Sequence, residues 1–195
     1  MALSDIELVT LAKATQSEAA FAELVRRHQA GLRAFLRKFT RDGAQADDLA
    51  QDTLLKAYRA IQGFEGGASF RSWLYAIAWR EFLQGKRKSA ANDRLAREAA
   101  PDADDEIDHS SVSELSIDLQ RALASLEENE RAAILLCDAA GMSHAEAASA
   151  LGAPLGSVKT YVARARERLR AALHAEAAPV NASTAKPELA ATRSR

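Results

Sequence analysis

Apolar residues along this chain recur at steps of three and four, the spacing of one face of a helix. No run alternates apolar and polar residues as a half-buried strand would. Ser4 with Glu7 has the form of a capping box opening a short first helix. From about Ala19 a longer stripe follows, made of Phe21, Leu24, Val25, Leu32, Phe35, Leu36 and Phe39. Asp42-Gly43 interrupts it, and Ala46, Leu49, Ala50, Thr53, Leu54, Ala57 and Ile61 predict the next amphipathic helix. A glycine-containing connector, Gly63 to Ala68, leads to Ser69 and a fourth helix bearing Phe70, Trp73, Leu74, Ile77, Ala78 and Phe82, expected to end in Lys86-Arg87-Lys88.

The large apolar residues then thin out. Asp102, Asp104, Asp105, Glu106 and Asp108 crowd together after Pro101, the composition of a solvated linker. Periodicity resumes with Leu115, Leu119, Ala122 and Leu123, and Ser125 with Glu128 offers another capping box before a helix that Gly141 would stop. The expected organisation is all-α. A first helical domain spans residues 1–91, a flexible acidic linker 92–112, a second helical domain 113–175, and a disordered tail 176–195.

From about Met142 to Leu173 the second domain reads as a helix-turn-helix. Ser143 and Glu146 cap a short helix with Ala147, Ala150 and Leu151 inward, which stops at Gly152. Ala153-Pro154-Leu155-Gly156 is a compact turn, and Ser157 suits the cap of a helix whose inner stripe is Val158, Val162, Ala165, Leu169 and Leu173. The other side of that helix is cationic, carrying Lys159, Arg164, Arg166, Arg168 and Arg170 against a single Glu167. Such a face suits a phosphate-lined groove, with base edges met near the helix start. Ser157, Lys159, Thr160, Tyr161, Arg164, Arg166 and Arg168 are therefore the candidate DNA contacts. Tyr161 also has the position to pack on the preceding helix.

Composition sharpens this by exclusion. Net charge is only −1, so any basic surface must be local. One cysteine, Cys137, permits no internal disulfide, and neither a signal-peptide pattern nor a long apolar span is present, which points to the cytoplasm. The four histidines are scattered, so no catalytic residue, metal site or cofactor is expected, and Cys137 reads as a core thiol.

Asp47, Asp48, Gln51 and Asp52 gather near a helix start, where capping and solubility alone would account for them. Their neighbourhood says more. The run Asp47-Asp48-Leu49-Ala50-Gln51-Asp52-Thr53-Leu54-Leu55-Lys56-Ala57-Tyr58-Arg59, followed by Phe70-Arg71-Ser72-Trp73-Leu74-Tyr75-Ala76-Ile77-Ala78-Trp79-Arg80, resembles the second domain of extracytoplasmic-function (ECF) sigma factors of the sigma-seventy family. Ala140 to Gly152 and Pro154 to Arg166 resemble that family's fourth domain, in the expected order. The likeness covers roughly Glu18 to Leu173.

The resemblance implies a noncatalytic subunit that binds core RNA polymerase, directs it to promoters and helps melt them, in a stress or envelope response. By similarity, Asp47, Asp48, Gln51, Asp52 and Leu55 would dock on the coiled coil of the largest polymerase subunit. Phe64, Ser69, Arg71, Trp73, Tyr75 and Trp79 would meet and open the minus-ten element, with Arg80, Lys86, Arg87 and Lys88 on phosphates. Spacing alone also suits Trp73 to a core. The helix-turn-helix would read the minus-thirty-five element. An anti-sigma factor would hold the free chain, which is expected to be a monomer without membrane insertion. Two departures stand out: Ser125-Leu126-Glu127-Glu128 lacks the family's usual proline, and Ala147-Ala148 replaces a bulkier pair. A stand-alone helix-turn-helix regulator that binds an operator is the alternative, but it leaves the acidic helix unexplained.

Overall fold

The computed structural model describes residues 2–40, 42–97 and 114–176, and every regular element among them is helical. The first half comprises α1 (Asp5–Thr15), α2 (Glu18–Leu36), α3 (Gly43–Ala60), a short 3-10 turn (Ile61–Gly63) and α4 (Phe70–Arg97). The second comprises α5 (Glu114–Ala124), α6 (Glu128–Ile134) continuing into a π-helical turn (Leu135–Ala139), α7 (His144–Leu151) and α8 (Leu155–Glu176). The expected tail and most of the expected acidic linker lie outside the described residues.

Local chemistry sets most of the helix starts. Ser4 and Ser143 form reciprocal capping boxes with Glu7 and Glu146, which satisfies amide groups that the first turn leaves unpaired. Asp42 Oδ1 accepts from the Gln45 amide at 2.6 Å, so α3 begins where the apolar pattern breaks. Gly141 and Gly152 take left-handed φ angles of 65° and 62°, conformations that side chains with a Cβ resist.

Three boundaries differ from the sequence expectation. α4 does not stop at Lys88 but runs to Arg97, because Ser89 to Arg97 contains no glycine or proline to break it. Ser125 does not cap α6: its hydroxyl donates back to the Ala122 carbonyl at 2.7 Å, and the helix begins after Glu127 without a side-chain cap. Ser157 does not cap α8 either. The Pro154 carbonyl already accepts from the Val158 amide at 3.1 Å, so the helix starts at Leu155 and Ser157 lies within its first turn.

The core follows the predicted stripes. Leu24, Leu32 and Leu36 of α2 are fully buried against Ala46, Ala50 and Ala57 of α3 and Leu74 and Ala78 of α4. Thr53 is also fully buried, and its hydroxyl is satisfied by the Leu49 carbonyl at 2.7 Å. In the second half Ala132, Ala133, Leu136, Ala147, Val158, Val162 and Ala165 close the space between α6, α7 and α8. The two halves are also packed together, with α7 lying along α4.

Leu24→Ala, at a site of zero exposure, should cost about 2–5 kcal/mol by leaving a cavity. Leu55→Ala, whose side chain is half exposed, should change stability by less than about 0.5 kcal/mol. Urea unfolding of both variants checks the pair of values.

Candidate functional site

α3 presents two faces of opposite chemistry. Its buried face carries Ala46, Ala50, Thr53 and Ala57. On the solvent side Asp48, Gln51, Asp52 and Leu55 are all exposed at helical spacings of three and four, giving one strip of carboxylates with an apolar residue at its end. Asp47 departs from the strip. It is half-buried and turned toward α2, where Arg33 Nε and Arg37 Nη2 each lie 3.6 Å from its Oδ1. Tyr58 extends the strip by one more turn, exposed and in edge contact with the Phe21 ring at 5.0 Å. It lines a cleft of about 180 Å³ with Ala12, Gln16, Ser17, Phe21, Ile61 and Gln62. The sequence reading did not single out Tyr58, though its position three residues after Leu55 was the available signal.

The aromatic candidates of the connector and α4 correct the expectation that they are free for DNA. Phe64, Tyr75 and Trp79 are buried, at 5%, 4% and 2% exposure. Tyr75 and Trp79 stack about Phe35, Phe39 and Phe82, and Phe64 meets the Trp73 ring edge-on at 5.2 Å. Their apolar area is worth more in that cluster than in water. Burial also pushes the Tyr75 hydroxyl above its ordinary pKa. Trp73 is half-buried, with one side of its ring on this cluster. The connector itself is held by Lys13 of α1, whose Nζ donates to the Phe64 carbonyl at 2.6 Å.

The polar candidates divide between solvent and the second half. Arg80, Arg87 and Lys88 are exposed, although Arg80 Nε also donates to the Ala76 carbonyl of its own helix. Ser69 Oγ donates to Glu146 Oε1 at 2.8 Å, Arg71 Nη2 donates to the Gly141 carbonyl at 3.2 Å, and Lys86 pairs with Glu128. These three contacts join α4 to the start of the helix-turn-helix and to α6. Arg131 joins the halves from the other side: its guanidinium lies 5.6 Å from the centre of the Phe39 ring and donates to the Lys38, Ala124 and Leu126 carbonyls, each at 3.0 Å. Burial lowers its pKa, and Glu128 opposes that shift. Neither Arg131 nor Glu146 was foreseen as an inter-half contact, because nothing in local spacing reports a partner a long way off in the chain.

The α8 surface is mostly as its periodicity predicts. Val158, Val162 and Ala165 are buried, while Lys159, Thr160, Arg164 and Arg170 are exposed. Thr160 Oγ1 donates to the Gly156 carbonyl at 3.0 Å. Tyr161 is half-buried and packed on the core, and Ser157 is half-buried near the turn. Arg166 and Arg168 are also exposed but are paired within the domain: Arg166 makes two hydrogen bonds to the exposed Asp138, and Arg168 bonds the buried Glu130. Asp138 raises the Arg166 pKa further above its already high value. Cys137 is half-buried, and burial pushes its thiol pKa up. Among the described residues no three His, Cys, Asp or Glu side chains are grouped to hold a metal ion, and no helix is long and apolar enough to cross a membrane.

Two helical modules of this kind, one with an acidic strip and one with a basic helix-turn-helix, define a two-part transcription factor. The model of Sigma-70 region 2 matches residues 24–92, and that of Sigma-70, region 4 matches residues 116–169. The chain is 36% identical over 166 residues to the ECF RNA polymerase sigma factor SigM of Mycobacterium tuberculosis, covering 85% of this chain and 83% of that one. It is 33% identical to ECF RNA polymerase sigma factor SigE of Mycolicibacterium smegmatis, covering 76% of this chain and 59% of the relative. Its fold matches the sigma factor RpoE of Bartonella quintana, solved in complex with the anti-sigma factor NepR. There the TM-score is 0.66 at 31% identity, over 79% of this chain and 96% of that one. The chain belongs to the ECF RNA polymerase sigma factors.

The Glu146 carboxylate is held below its usual value of 4.5, first by the Ser143 amide and then by the Ser69 hydroxyl. A lowered folded pKa means that its contribution to stability is present above about 4.5 and is lost as pH falls through the folded value. Glu146→Gln should therefore flatten the acid limb of a Tm-against-pH curve below roughly pH 5 and leave its neutral-to-alkaline limb parallel to the parent's.

Proposed function

We propose that this chain is an alternative sigma factor that binds core RNA polymerase in the cytoplasm, directs it to a set of promoters and helps open them, in a stress or envelope response. The observation that carries the reading is the division of labour between its surfaces. An exposed strip of Asp48, Gln51, Asp52 and Leu55 lies on the Sigma-70 region 2 module, and a cationic α8 lies on the region 4 module. Carboxylates flanking an apolar side chain suit a basic partner helix, which gains charge-assisted hydrogen bonds while burying Leu55. The coiled coil of the largest polymerase subunit is that partner. Asp47, already near two arginines, supports the strip from behind.

The region 4 module is proposed to read the minus-thirty-five element through the start of α8, with Lys159, Thr160 and Arg164 foremost. Near the minus-ten element the roles fall to Ser69, Arg71 and the half-exposed Trp73, with phosphate contacts from Arg80, Lys86, Arg87 and Lys88. Phe64, Tyr75 and Trp79 give that surface a rigid aromatic floor. No cofactor or metal enters this scheme. An anti-sigma factor, as in the Bartonella quintana complex, is the proposed partner of the free chain.

Distance constrains the mechanism. The two elements are separated by about 85 Å of B-form DNA, taking about 25 base pairs at roughly 3.4 Å each. Here α7 lies on α4, and Ser69 and Arg71 are bonded to Glu146 and Gly141. The halves must therefore part before both elements are held, and polymerase docking is the proposed source of the free energy.

Purified chain, core polymerase and genomic promoter fragments should together yield discrete initiated transcripts, and failure to bind core overturns the assignment. Asp48→Lys with Asp52→Lys should weaken core binding by at least about tenfold, or about 1.4 kcal/mol, while leaving the fold intact. Equal losses in core binding and in isolated DNA binding would count against the docking role. A short, reducible cross-link between Ser69→Cys and Glu146→Cys in a Cys137→Ser background should abolish transcription until it is reduced.

A further inference from the structure

α8 is seated on a stripe of small and β-branched side chains, Val158, Val162 and Ala165, all with exposures of 2% or less. Tyr161 and Leu169 pack partly buried beside these residues, so the fully buried part of the seat is small and β-branched, and larger contacts at its flanks resist rolling about the helix axis. Each residue turns the helix by about 100°, so Arg166 and Arg168 stand on opposite flanks of that stripe. Both are tied to the elements beneath. On one flank Arg166 Nε and Nη2 donate to Asp138 Oδ2 and Oδ1 at 3.1 and 2.7 Å, a bidentate pair built on the π-helical turn. On the other, Arg168 Nη1 donates to Glu130 Oε2 at 2.9 Å, and Arg168 Nη2 lies 3.7 Å from Glu127 Oε1. Glu130 is 1% exposed, and its Oε1 has no hydrogen-bond partner among the described residues. Its carboxylate is thus committed to Arg168.

We propose that Glu130 and Asp138 are positioning residues that fix the roll of α8, with Arg166 and Arg168 as their anchors inside the domain and not as DNA contacts. The proposal rests on the DNA-reading role of α8 given above. Lys159, Arg164 and Arg170 carry no ion pair among the described residues, so they form the cationic set left for phosphates and bases. Roll matters because side-chain tips lie outside the backbone cylinder. A roll of about 20° moves groups at a radius of about 5–6 Å by about 2 Å. That is enough to break a base contact that requires about 2.7–3.2 Å. Two ion pairs on opposite flanks oppose roll in both senses, which one pair would not do. The consequence is that acidic residues far from DNA set which bases are preferred.

The test uses the holoenzyme formed from core polymerase and the full chain, binding promoter fragments over a range of salt concentrations. Lys159→Ala and Arg164→Ala should each weaken binding, with a slope of log K against log salt lower by about 0.9 where a phosphate contact is lost and a relaxed base preference where a base contact is lost. Arg166→Gln and Arg168→Gln should leave that slope unchanged. In parallel, selection from fragments randomised across the upstream element should show altered base preference for Asp138→Asn and for Glu130→Gln. A residue needed only for folding would lower binding to every fragment equally and leave the preference unmoved. Asp138 is exposed, so Asp138→Asn is the variant that keeps the test informative if Glu130→Gln lowers Tm. A slope reduced by about 1 in Arg166→Gln or Arg168→Gln overturns the proposal, as does unchanged preference in both carboxylate variants. Lys159→Ala and Arg164→Ala variants that change neither the salt slope nor the base preference overturn the DNA-reading role of α8 itself.

Discussion

The arrangement depends on α7, an eight-residue helix that packs against α8 on one side and α4 on the other. A helix with bulky residues on both faces would hold its neighbours at an ordinary separation. α7 instead buries Ala147, Ala148 and Ala150, so two long helices approach it closely. Its start is stiffened by the Ser143–Glu146 capping box, and the same Glu146 accepts the Ser69 hydroxyl from α4. Capping, close packing and the contact between halves thus draw on a few residues. Ala147-Ala148, in place of a bulkier pair, keeps α7 slim enough for its neighbours to lie close.

Much of this was legible in the sequence because it is local or periodic. The stripes through Phe21 to Phe39 and Ala46 to Ile61 mark the inward faces of α2 and α3, whereas Leu8, Val9 and Ala12 of α1 are buried without having stood out in a helix so short. The Ser4 and Ser143 boxes and the Gly141 and Gly152 stops are short-range chemistry that spacing reports directly. What escaped was long-range. Whether an aromatic on an amphipathic helix faces a core or a ligand depends on the neighbouring helix, so Tyr75 and Trp79 carried the same spacing under either role. The arginines of α8 show the same limit: a basic run looks uniform until Glu130 and Asp138, from a different helix and a π-helical turn, take Arg168 and Arg166 out of it.

Local charge also explains how a chain of net charge −1 can serve two highly charged partners. Acid and base are segregated onto α3 and α8, which lie in different modules. Each surface therefore keeps a strong field at short range while the molecule as a whole is nearly neutral, and screening at physiological salt confines each field to about 8 Å. In the packed form Lys86 pairs with Glu128 across the halves and Arg71 donates to the Gly141 carbonyl, so the contacts that close the molecule also engage cations proposed for DNA.

The length of α4 has a mechanical consequence. From Gln84 to Asn92 every residue is exposed, with Lys86 paired to Glu128, and the helix continues to Arg97, about 20 Å along its axis from Gln84. Arg87 and Lys88 therefore stand on a rigid rod and not on a loop, so a partner that meets them does not have to order the backbone first.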